Sequence, residues 1–167
     1  MPTVTPAQAG GIAVCTMLDL IAWSEGTATS PLTKDTGYDV EVSSVNGPAV
    51  FEGYSFHPFE SKPAAIVRLV PRLLSTAAGR YQLLLRYYLA YKHQLNLTDF
   101  SPLSQDLIAI QQMKEKHAVA LLQANAVQEA IEALAPVWAS LPGNSYGQGG
   151  HSMQALLNKW QELSQHA

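Results

Sequence analysis

One segment near the N-terminus constrains the fold more than any other, because it is apolar on most sides. It begins near Ile12, and its main polar residues are Thr16 and Asp19, three positions apart. So little polar surface is typical of a helix that is buried between other elements. We therefore predict a helix from about Ile12 to Glu25, ended by Gly26, since glycine adopts the left-handed conformation at little steric cost.

The composition is that of a chain that buries a substantial core. Of its 167 residues, 47% are hydrophobic and 14% are charged, a balance that favours a packed globular protein over a disordered chain. We expect a single domain over residues 1–167, with a loose N-terminus over residues 1–9, where Pro2 and Pro6 stand among small polar residues. The lone cysteine, Cys15, cannot form an internal disulfide and is expected to be a buried, inert thiol.

The charge pattern excludes some classes of partner. A net charge of -3 argues against an extended nucleic-acid surface, which is normally basic. Residues 61–98 nevertheless contain six basic residues and no acidic one, so they either bind an anionic polymer or form a solvated basic helix face, and we favour the second interpretation. The five histidines are scattered, without an HExxH helix or a cysteine partner, so we expect no metal site and no cofactor.

Residues 37–54 change the periodicity from helical to alternating. Apolar and acidic residues alternate at the start of this segment, and Asn46-Gly47 is typical of a tight turn, which predicts a small β-hairpin. After a loop over residues 57–63 we expect helices again. One of them runs from about Thr76 to His93, with Tyr81 on its apolar stripe.

The C-terminal half is predicted to be helical. Ser101 is expected to cap, and Pro102 to begin, a helix that ends near Lys116. Two apolar stripes, over residues 127–141 and 153–163, predict further helices, with a glycine-rich loop between them. The whole pattern predicts a mostly helical α+β domain, in which the small hairpin divides the molecule into two unequal lobes with a cleft between them.

Glu25 is the acidic residue with the most unusual predicted surroundings. It follows the apolar run Leu20-Ile21-Ala22-Trp23 and lies at the end of a helix. Partial burial and the negative end of the helix dipole should both raise the pKa of its carboxyl. A glutamic acid that is protonated near neutral pH can protonate a glycosidic oxygen. On these grounds alone, a surface acid at the end of a helix remains the stronger interpretation.

Five sequence blocks, in this order and combination, resemble the endolysins of lambda-like and P2-like tailed bacteriophages: LDLIAWSEGT at 18–27, GYDV at 37–40, STAAGRYQLL at 75–84, FSPLSQD at 100–106 and WASLPGNSYGQ at 138–148. The resemblance implies a lysozyme-like fold and lytic transglycosylase activity. Such an enzyme cleaves the β-1,4 bond between N-acetylmuramic acid and N-acetylglucosamine of peptidoglycan, leaves 1,6-anhydromuramic ends and lyses the host. It also implies that Glu25, in the WSEGT block, is the catalytic acid and base, so the catalytic interpretation now outweighs the structural one.

The other blocks contain candidate substrate-binding residues. Gln82 is predicted to bond an acetamido group and Tyr81 to offer a stacking face and a hydroxyl, although a core aromatic and an interior hydrogen-bonder are equally good interpretations. Tyr38 and Asp39 lie beside the predicted hairpin, where Asp39 either reaches the cleft or stabilises a turn. The resemblance also implies a mobile aromatic lip over the sugar polymer, formed by Tyr146, Gly147 and Gln148.

Two alternatives of different classes stay open. One is a muramidase that hydrolyses the same bond, with Asp39 or Asp35 as base or nucleophile beside Glu25. The other is a non-catalytic wall-binding or phage structural module. Retention of Glu25 in the WSEGT block argues against the second alternative.

The place of action follows from the N-terminal segment and from the resemblance. The apolar run before Glu25 lacks a basic n-region, contains Asp19 and is too short to span a bilayer, so we expect a soluble protein made in the host cytoplasm without an export signal of its own. The resemblance implies passage to the periplasm through a separate membrane-pore protein, a holin. The expected partner is a peptidoglycan glycan strand, and nothing in the sequence requires more than a monomer.

Overall fold

The computed structural model describes residues 1–143 and 150–165. The chain divides into two units, of which the first comprises Met1–Glu25 with Ala109–Ala167 and the second comprises Gly26–Ile108. Within the described residues the α-helices are, in chain order, α1 (Pro6–Ala9), α2 (Ile12–Ser24), α3 (Leu85–Gln94), α4 (Pro102–Glu115), α5 (Ala118–Gln123), α6 (Val127–Leu134) and α7 (Met153–Ser164).

Helix α2 is the central element of the first unit. It packs against α1, α5 and α7, and the side chains of Met17, Leu18 and Ile21 are completely buried. Its polar Thr16 is accommodated because the hydroxyl donates to the backbone carbonyl of Ile12 at 3.2 Å. The predicted buried helix is therefore confirmed, and it ends one residue before the predicted position.

The N-terminus differs from the expected loose segment. Thr5 accepts a hydrogen bond from the backbone N–H of Gln8, and the Gln8 side chain accepts one from the backbone N–H of Thr5, which is a capping box that begins α1. Val4 and Ala9 are buried beside it. The prediction of a loose terminus over residues 1–9 is wrong for this stretch, because a Thr-Pro-x-Gln pattern stabilises a helical turn.

The prediction of a buried Cys15 is also wrong, since this residue is only partly buried.

The second unit contains two antiparallel sheets in the described part of the chain. One has the strand order β2-β1-β5-β6 and the other pairs β3 with β4. Their bounds are β1 (Val40–Ser44), β2 (Gly47–Val50), β3 (Ala65–Arg68), β4 (Leu73–Ser75), β5 (Ala77–Ala78) and β6 (Leu83–Leu84). A 3-10 turn over Pro58–Glu60 lies between β2 and β3. The predicted hairpin is β1–β2, confirmed by the pairing of Glu41 with Ala49, and Gly47 has the positive φ of +103° that its turn requires.

The expectation of helices directly after residue 63 is wrong. Residues 65–84 form the second hairpin, β3–β4, and the short strands β5 and β6, so that α3 begins only at Leu85. Between β5 and β6 the backbone adopts positive φ values at Gly79 (+79°) and Gln82 (+48°), which a helix cannot contain. Tyr81 is therefore part of a tight turn and not of a helical stripe.

The helices of the C-terminal half agree better with the sequence prediction. Helix α4 begins at Pro102, and the Ser101 hydroxyl accepts a hydrogen bond from the backbone N–H of Ser104 at 3.3 Å. Helix α6 ends at Leu134, seven residues before the end of its predicted stripe, but Trp138 and Leu141 are still buried. Helix α5 was not predicted.

The basic segment over residues 61–98 does not form one helix face. Arg80 is buried, and Lys62 lies outside the helices and pairs with Glu41 at 2.5 Å. Only Arg86 and Lys92 of the six basic residues belong to a helix, α3. The structure therefore does not support the interpretation of this segment as a basic helix face.

The turn between β5 and β6 depends on a glycine. A Cβ atom at Gly79 would lie 2.2 Å from Gln105 Oε1. This oxygen accepts a hydrogen bond from the backbone N–H of Arg80 at 2.8 Å. The Gln105 side-chain nitrogen donates to the carbonyl oxygens of Tyr38 and Phe100 at 3.1 and 3.0 Å. Because Gln105 is itself buried and fully bonded, it cannot move aside for a methyl group.

We expect Gly79→Ala to lower the free energy of unfolding by about 2–5 kcal/mol, since the positive φ costs about 1–2 kcal/mol and the overlap adds about 1–3 kcal/mol. Gly53→Ala is the matched control, because Gly53 has a similar φ of +74° and nothing within 4 Å of an added Cβ. It should show only the backbone cost. Urea denaturation measures both, and equal losses would show that Gln105 yields to the methyl group.

Candidate active site

Glu25 is held at the C-terminal end of α2 by backbone and side-chain hydrogen bonds. Its backbone N–H donates to the carbonyl of Ile21 at 2.8 Å. Its carboxyl oxygen Oε1 accepts the hydroxyl of Ser140 at 2.6 Å, and the backbone N–H of Ser140 also bonds the carboxyl group. The Ser140 hydroxyl in turn accepts a hydrogen bond from the hydroxyl of Ser24 at 2.7 Å. All these residues belong to the first unit.

Burial raises the pKa of the Glu25 carboxyl above its ordinary value of 4.5, and the two hydrogen bonds from Ser140 lower it by a smaller amount. The prediction that partial burial raises this pKa is therefore confirmed. The contribution of the helix dipole stays a prediction. A carboxyl group in these surroundings keeps its proton to a higher pH than a solvated one, as a general acid requires.

Aromatic and backbone contacts fix the surroundings of Ser140. Trp23 stacks on His151 with ring centroids 4.2 Å apart, and the ammonium group of Lys159 lies 5.7 Å from the centre of the same indole ring. The backbone N–H of His151 donates to the carbonyl of Ser140 at 3.2 Å. A Cβ atom at Gly150 would lie 2.7 Å from that carbonyl oxygen, so only glycine allows this close approach.

Tyr38 and Tyr81 are buried in the second unit, with exposed fractions of 2% and 4%. Both phenol groups donate to Asp106 Oδ1, at 2.7 and 2.6 Å, and their rings meet edge to face. Burial, followed by the charge of Asp106, raises the pKa of Tyr81 well above its ordinary value, which keeps the phenol protonated as a donor. The predicted substrate contact of these two tyrosines has no support from their position, which is that of core aromatics.

Asp39 and Asp35 both have hydrogen-bond partners within the second unit. Asp39 is buried and accepts the hydroxyl of Thr33 at 2.5 Å and the backbone N–H of Lys34 at 2.8 Å. Asp35 accepts the hydroxyl of Tyr54 at 2.6 Å. For Asp39 this arrangement favours the turn-stabilising interpretation over the substrate-binding one.

Gln82 remains the best-placed of the predicted substrate-binding residues in the second unit. It is partly exposed, and its φ of +48° is unusual for a residue with a side chain, a feature that is frequent at functional sites. Its side-chain nitrogen donates to the carbonyl of Gly79 at 3.1 Å. Within the described residues its oxygen Oε1 accepts no hydrogen bond. Tyr146, Gly147 and Gln148, the predicted lip, lie outside the described residues.

Sequence reasoning missed several residues that shape the site. Ser24 and Ser140 bond to each other and, through Ser140, to Glu25, while Gln105 and Asp106 fix the motif residues of the second unit. All of them lie inside the blocks that carry the family resemblance, so the blocks were the available signal. Across residues 1–143 and 150–165, no group of three or more His, Cys, Asp and Glu side chains has an arrangement that could hold a metal ion.

Comparison with known proteins decides the family. A family model described as Endolysin matches residues 15–166. The chain belongs to the endolysin family.

The relatives and structural neighbours are phage proteins. The endolysin of Escherichia phage P2 is 46% identical over 149 residues, which cover 88% of this chain and 90% of the relative. The endolysin of Escherichia phage lambda is 46% identical over 146 residues, which cover 87% of each chain. A structure of bacteriophage lambda lysozyme complexed with a chitohexasaccharide matches with a TM-score of 0.80 and 41% identity, and covers 98% of this chain and 97% of the neighbour.

A second structure of lysozyme from bacteriophage lambda matches with a TM-score of 0.77 and 40% identity, over 98% of this chain and 97% of that one. The predicted α+β, lysozyme-like fold class is therefore confirmed. As a member of this family the chain is a phage endolysin, a lysozyme-like enzyme that degrades peptidoglycan by glycosidic cleavage.

Tyr81→Phe separates a structural from a substrate-binding role of this hydroxyl. It removes a hydrogen-bond donor to the buried Asp106 carboxylate, so the free energy of unfolding should fall by about 1.5–3 kcal/mol. The kcat/KM of the folded endolysin on purified peptidoglycan should stay within about twofold of the parent enzyme if the hydroxyl is structural. Tyr87→Phe, which alters an exposed hydroxyl of the same unit, is the control. A large loss of kcat/KM in a stable Tyr81→Phe protein would instead support a substrate-binding role for the Tyr81 hydroxyl.

Proposed function

We propose that this endolysin is a lytic transglycosylase in which Glu25 alone acts as general acid and then as general base. The observation that carries the proposal is the partly buried Glu25 carboxyl, whose pKa burial raises and Ser140 moderates. No second carboxylate of the first unit contributes to this pKa among the described residues. Asp39 and Asp35 are the carboxylates that a hydrolase would recruit. Asp39 accepts hydrogen bonds from Thr33 and Lys34, and Asp35 accepts one from Tyr54.

The reaction has two proton transfers through one group. Glu25 gives its proton to the bridging oxygen as the bond from that oxygen to C1 of N-acetylmuramic acid breaks, and the N-acetyl group of this sugar stabilises the developing cation. The carboxylate then takes the proton of the C6 hydroxyl of the same sugar as its oxygen bonds to C1. The products are a 1,6-anhydromuramic end and a free hydroxyl on the leaving N-acetylglucosamine, and Glu25 is again protonated.

The substrate proposal rests on the relatives and on Gln82. The matching lambda lysozyme structure is a complex with a chitohexasaccharide, which supports a glycan strand as the substrate here. The partly exposed Gln82 has an amide oxygen suited to accept the N–H of an acetamido group. Tyr146 and Gln148 remain proposed as the lip that contacts the strand.

Two other functions have weaker support. A muramidase needs a second carboxylate at a set separation from the acid, and the internal hydrogen bonds of Asp39 disfavour it in that role. A non-catalytic wall-binding module is disfavoured by the surroundings of Glu25. A turbidity assay on permeabilised Gram-negative cells separates this module from both enzymes, because only the enzymes clear the suspension.

The proposed route follows from the family. Within the described residues no helix has the length and apolar character needed to cross a membrane. As part of the same proposal, the endolysin is made in the host cytoplasm and reaches the periplasm as a monomer through the pore of a separate holin. Membership of the phage endolysins supports this route.

Glu25→Gln keeps the size and polarity of the side chain and removes the transferable proton. Lytic activity on purified peptidoglycan should fall by at least about 10²- to 10⁴-fold, because one proton-transfer group contributes that much and here it serves twice. Glu129→Gln, at an exposed position in α6, should leave activity unchanged. Near-normal lysis by Glu25→Gln would remove the central assignment.

The same variant has a stability signature that follows from the raised pKa of Glu25. The unfolded chain releases the proton near pH 4.5 and the folded protein releases it at higher pH, so the parent enzyme loses stability as pH rises through this window. Glu25→Gln avoids that loss. Chemical denaturation should find the variant at least as stable as the parent near pH 7 and without advantage at about pH 4.

The product distinguishes transglycosylase from hydrolase. Digestion of peptidoglycan in water enriched in heavy oxygen should leave the new muramic ends unlabelled and one water lighter than hydrolysed ends, because the C6 hydroxyl attacks C1. Mass spectrometry of the fragments measures both properties. In parallel, Asp39→Asn should reduce turnover less than Glu25→Gln does. Labelled, reducing muramic ends as the main product would establish the muramidase and leave Glu25 as its acid.

A further inference from the structure

We propose that Ser140 is a positioning residue that selects which oxygen of Glu25 carries the transferable proton. The inference rests on the proposed role of Glu25 and goes beyond it. Ser140 lies 115 positions from Glu25 in the sequence, yet its hydroxyl reaches Glu25 Oε1 at 2.6 Å. The chain of hydrogen bonds runs from Ser24 to Ser140 and from Ser140 to Glu25.

The direction of this chain determines where the acid proton lies. A serine hydroxyl has a single proton. A carboxylate can only accept, so when Glu25 is ionised Ser140 donates to Oε1 and its own oxygen accepts from Ser24. We assign the same direction to the neutral acid. Oε1 is thereby the accepting oxygen of the neutral carboxyl group, and the transferable proton belongs to Oε2.

The hydrogen bond from Ser140 also favours the carboxylate form of Glu25, which the first proton transfer creates. When Glu25 gives its proton to the leaving oxygen, the group that accepts from Ser140 becomes a carboxylate. Hydrogen bonds to a charged acceptor are shorter and roughly twice as strong as those between neutral groups. Ser140 therefore stabilises the carboxylate more than the acid, and it leaves Oε2 to take the proton of the C6 hydroxyl in the second step.

The backbone around Ser140 holds its hydroxyl in place. The carbonyl of Ser140 accepts the backbone N–H of His151 at 3.2 Å, and Gly150 is packed directly against that carbonyl. His151 is itself stacked on Trp23, two residues before Glu25 in the chain. A hydroxyl fixed in this way can direct a proton because its geometry does not depend on the substrate.

Other ionisable groups of the first unit do not account for the shifted pKa of Glu25. Helices α1 and α5, which pack against α2, contain no charged residue. On α7, Lys159 lies over Trp23 and pairs with Glu162 at 2.6 Å, and Asp19 on α2 pairs with the N-terminal ammonium group. The pKa of Glu25 is set by burial and by Ser140, with no contribution from these groups or from His151.

The test measures the pKa of Glu25 directly, by carbon-13 NMR titration of labelled glutamate carboxyls, with the Glu25 signal assigned by its absence in Glu25→Gln. Ser140→Ala should raise this pKa by about one to two units, as expected for loss of a hydrogen bond to a charged group. Its kcat should fall about 10- to 100-fold with little change in KM, because the lost bond acts mainly in the transition state. The alkaline limb of the pH profile, along which activity falls as Glu25 loses the proton it must donate, should move up together with the pKa.

Three further variants make the result decisive. Ser140→Thr keeps the hydroxyl and should restore the pKa and most of the kcat. Ser24→Ala should also raise the pKa of Glu25, by less than one unit. It tests the same chain of hydrogen bonds if Ser140→Ala fails to fold. Ser152→Ala removes the serine that caps α7 in the same unit and should cost stability while leaving the pKa and kcat unchanged.

An unchanged or lowered pKa in folded Ser140→Ala overturns the inference, and a lowered one shows that Oε1 itself carries the proton and donates to Ser140. Failure of the proposed function has a different signature. In that case Glu25→Gln retains lysis, whatever the NMR titration shows for Ser140→Ala.

Discussion

The burial of helix α2 is the constraint on which the proposed chemistry of this endolysin depends. A helix that packs on three neighbours of the same unit leaves its C-terminal residue in partly dehydrated surroundings, and there the carboxyl of Glu25 is easier to keep protonated. The acid thus owes its raised pKa to packing along the preceding helix. The aromatic contact of Trp23 with His151 belongs to the same packing and brings the segment after residue 149 back to Ser140.

The second unit is organised around two buried side chains of α4. Gln105 bonds the turn between β5 and β6 and the backbone of Tyr38, while Asp106 binds the hydroxyls of Tyr38 and Tyr81. The sequence blocks GYDV, GRYQ and FSPLSQD are therefore joined by buried hydrogen bonds within one unit. Much of the sequence pattern that marks the family serves the fold of this unit.

Sequence reasoning predicted the elements whose signals are local. The apolar run of α2, the Asn-Gly turn of the first hairpin and the Ser-Pro start of α4 each produced the predicted element. It failed for residues 65–84, because the apolar residues there are compatible with a helix and the deciding features are nonlocal. The close approach of Gly79 to Gln105 depends on a partner that lies 26 residues beyond Gly79, and the left-handed conformation of Gln82 in the same turn has no local sequence signal.

The same distinction applies to the site. The surroundings of Glu25 were predictable, because an apolar run directly before an acid is visible in the sequence. The roles of Tyr38, Tyr81 and Asp39 were not, since a tyrosine that binds sugar and a tyrosine that donates to a buried aspartate have the same local pattern. The role of Ser140 was not predictable for a related reason: it lies in the WASLPGNSYGQ block, but its contact with Glu25 joins positions separated by 115 residues.

A single carboxyl group that serves as acid and then as base faces opposing demands. Burial alone favours the acid, but a group that holds its proton too strongly donates it slowly, and catalysis is best when the pKa lies near the working pH. In Glu25 the hydrogen bonds from Ser140 act against burial and lower the pKa from the value that burial would set. Burial and the serine hydroxyl are properties of the first unit, so the unit that contains the acid also adjusts its strength. A second carboxylate near Glu25 would raise its pKa further, and for this reason the observed balance fits a mechanism that recruits only one.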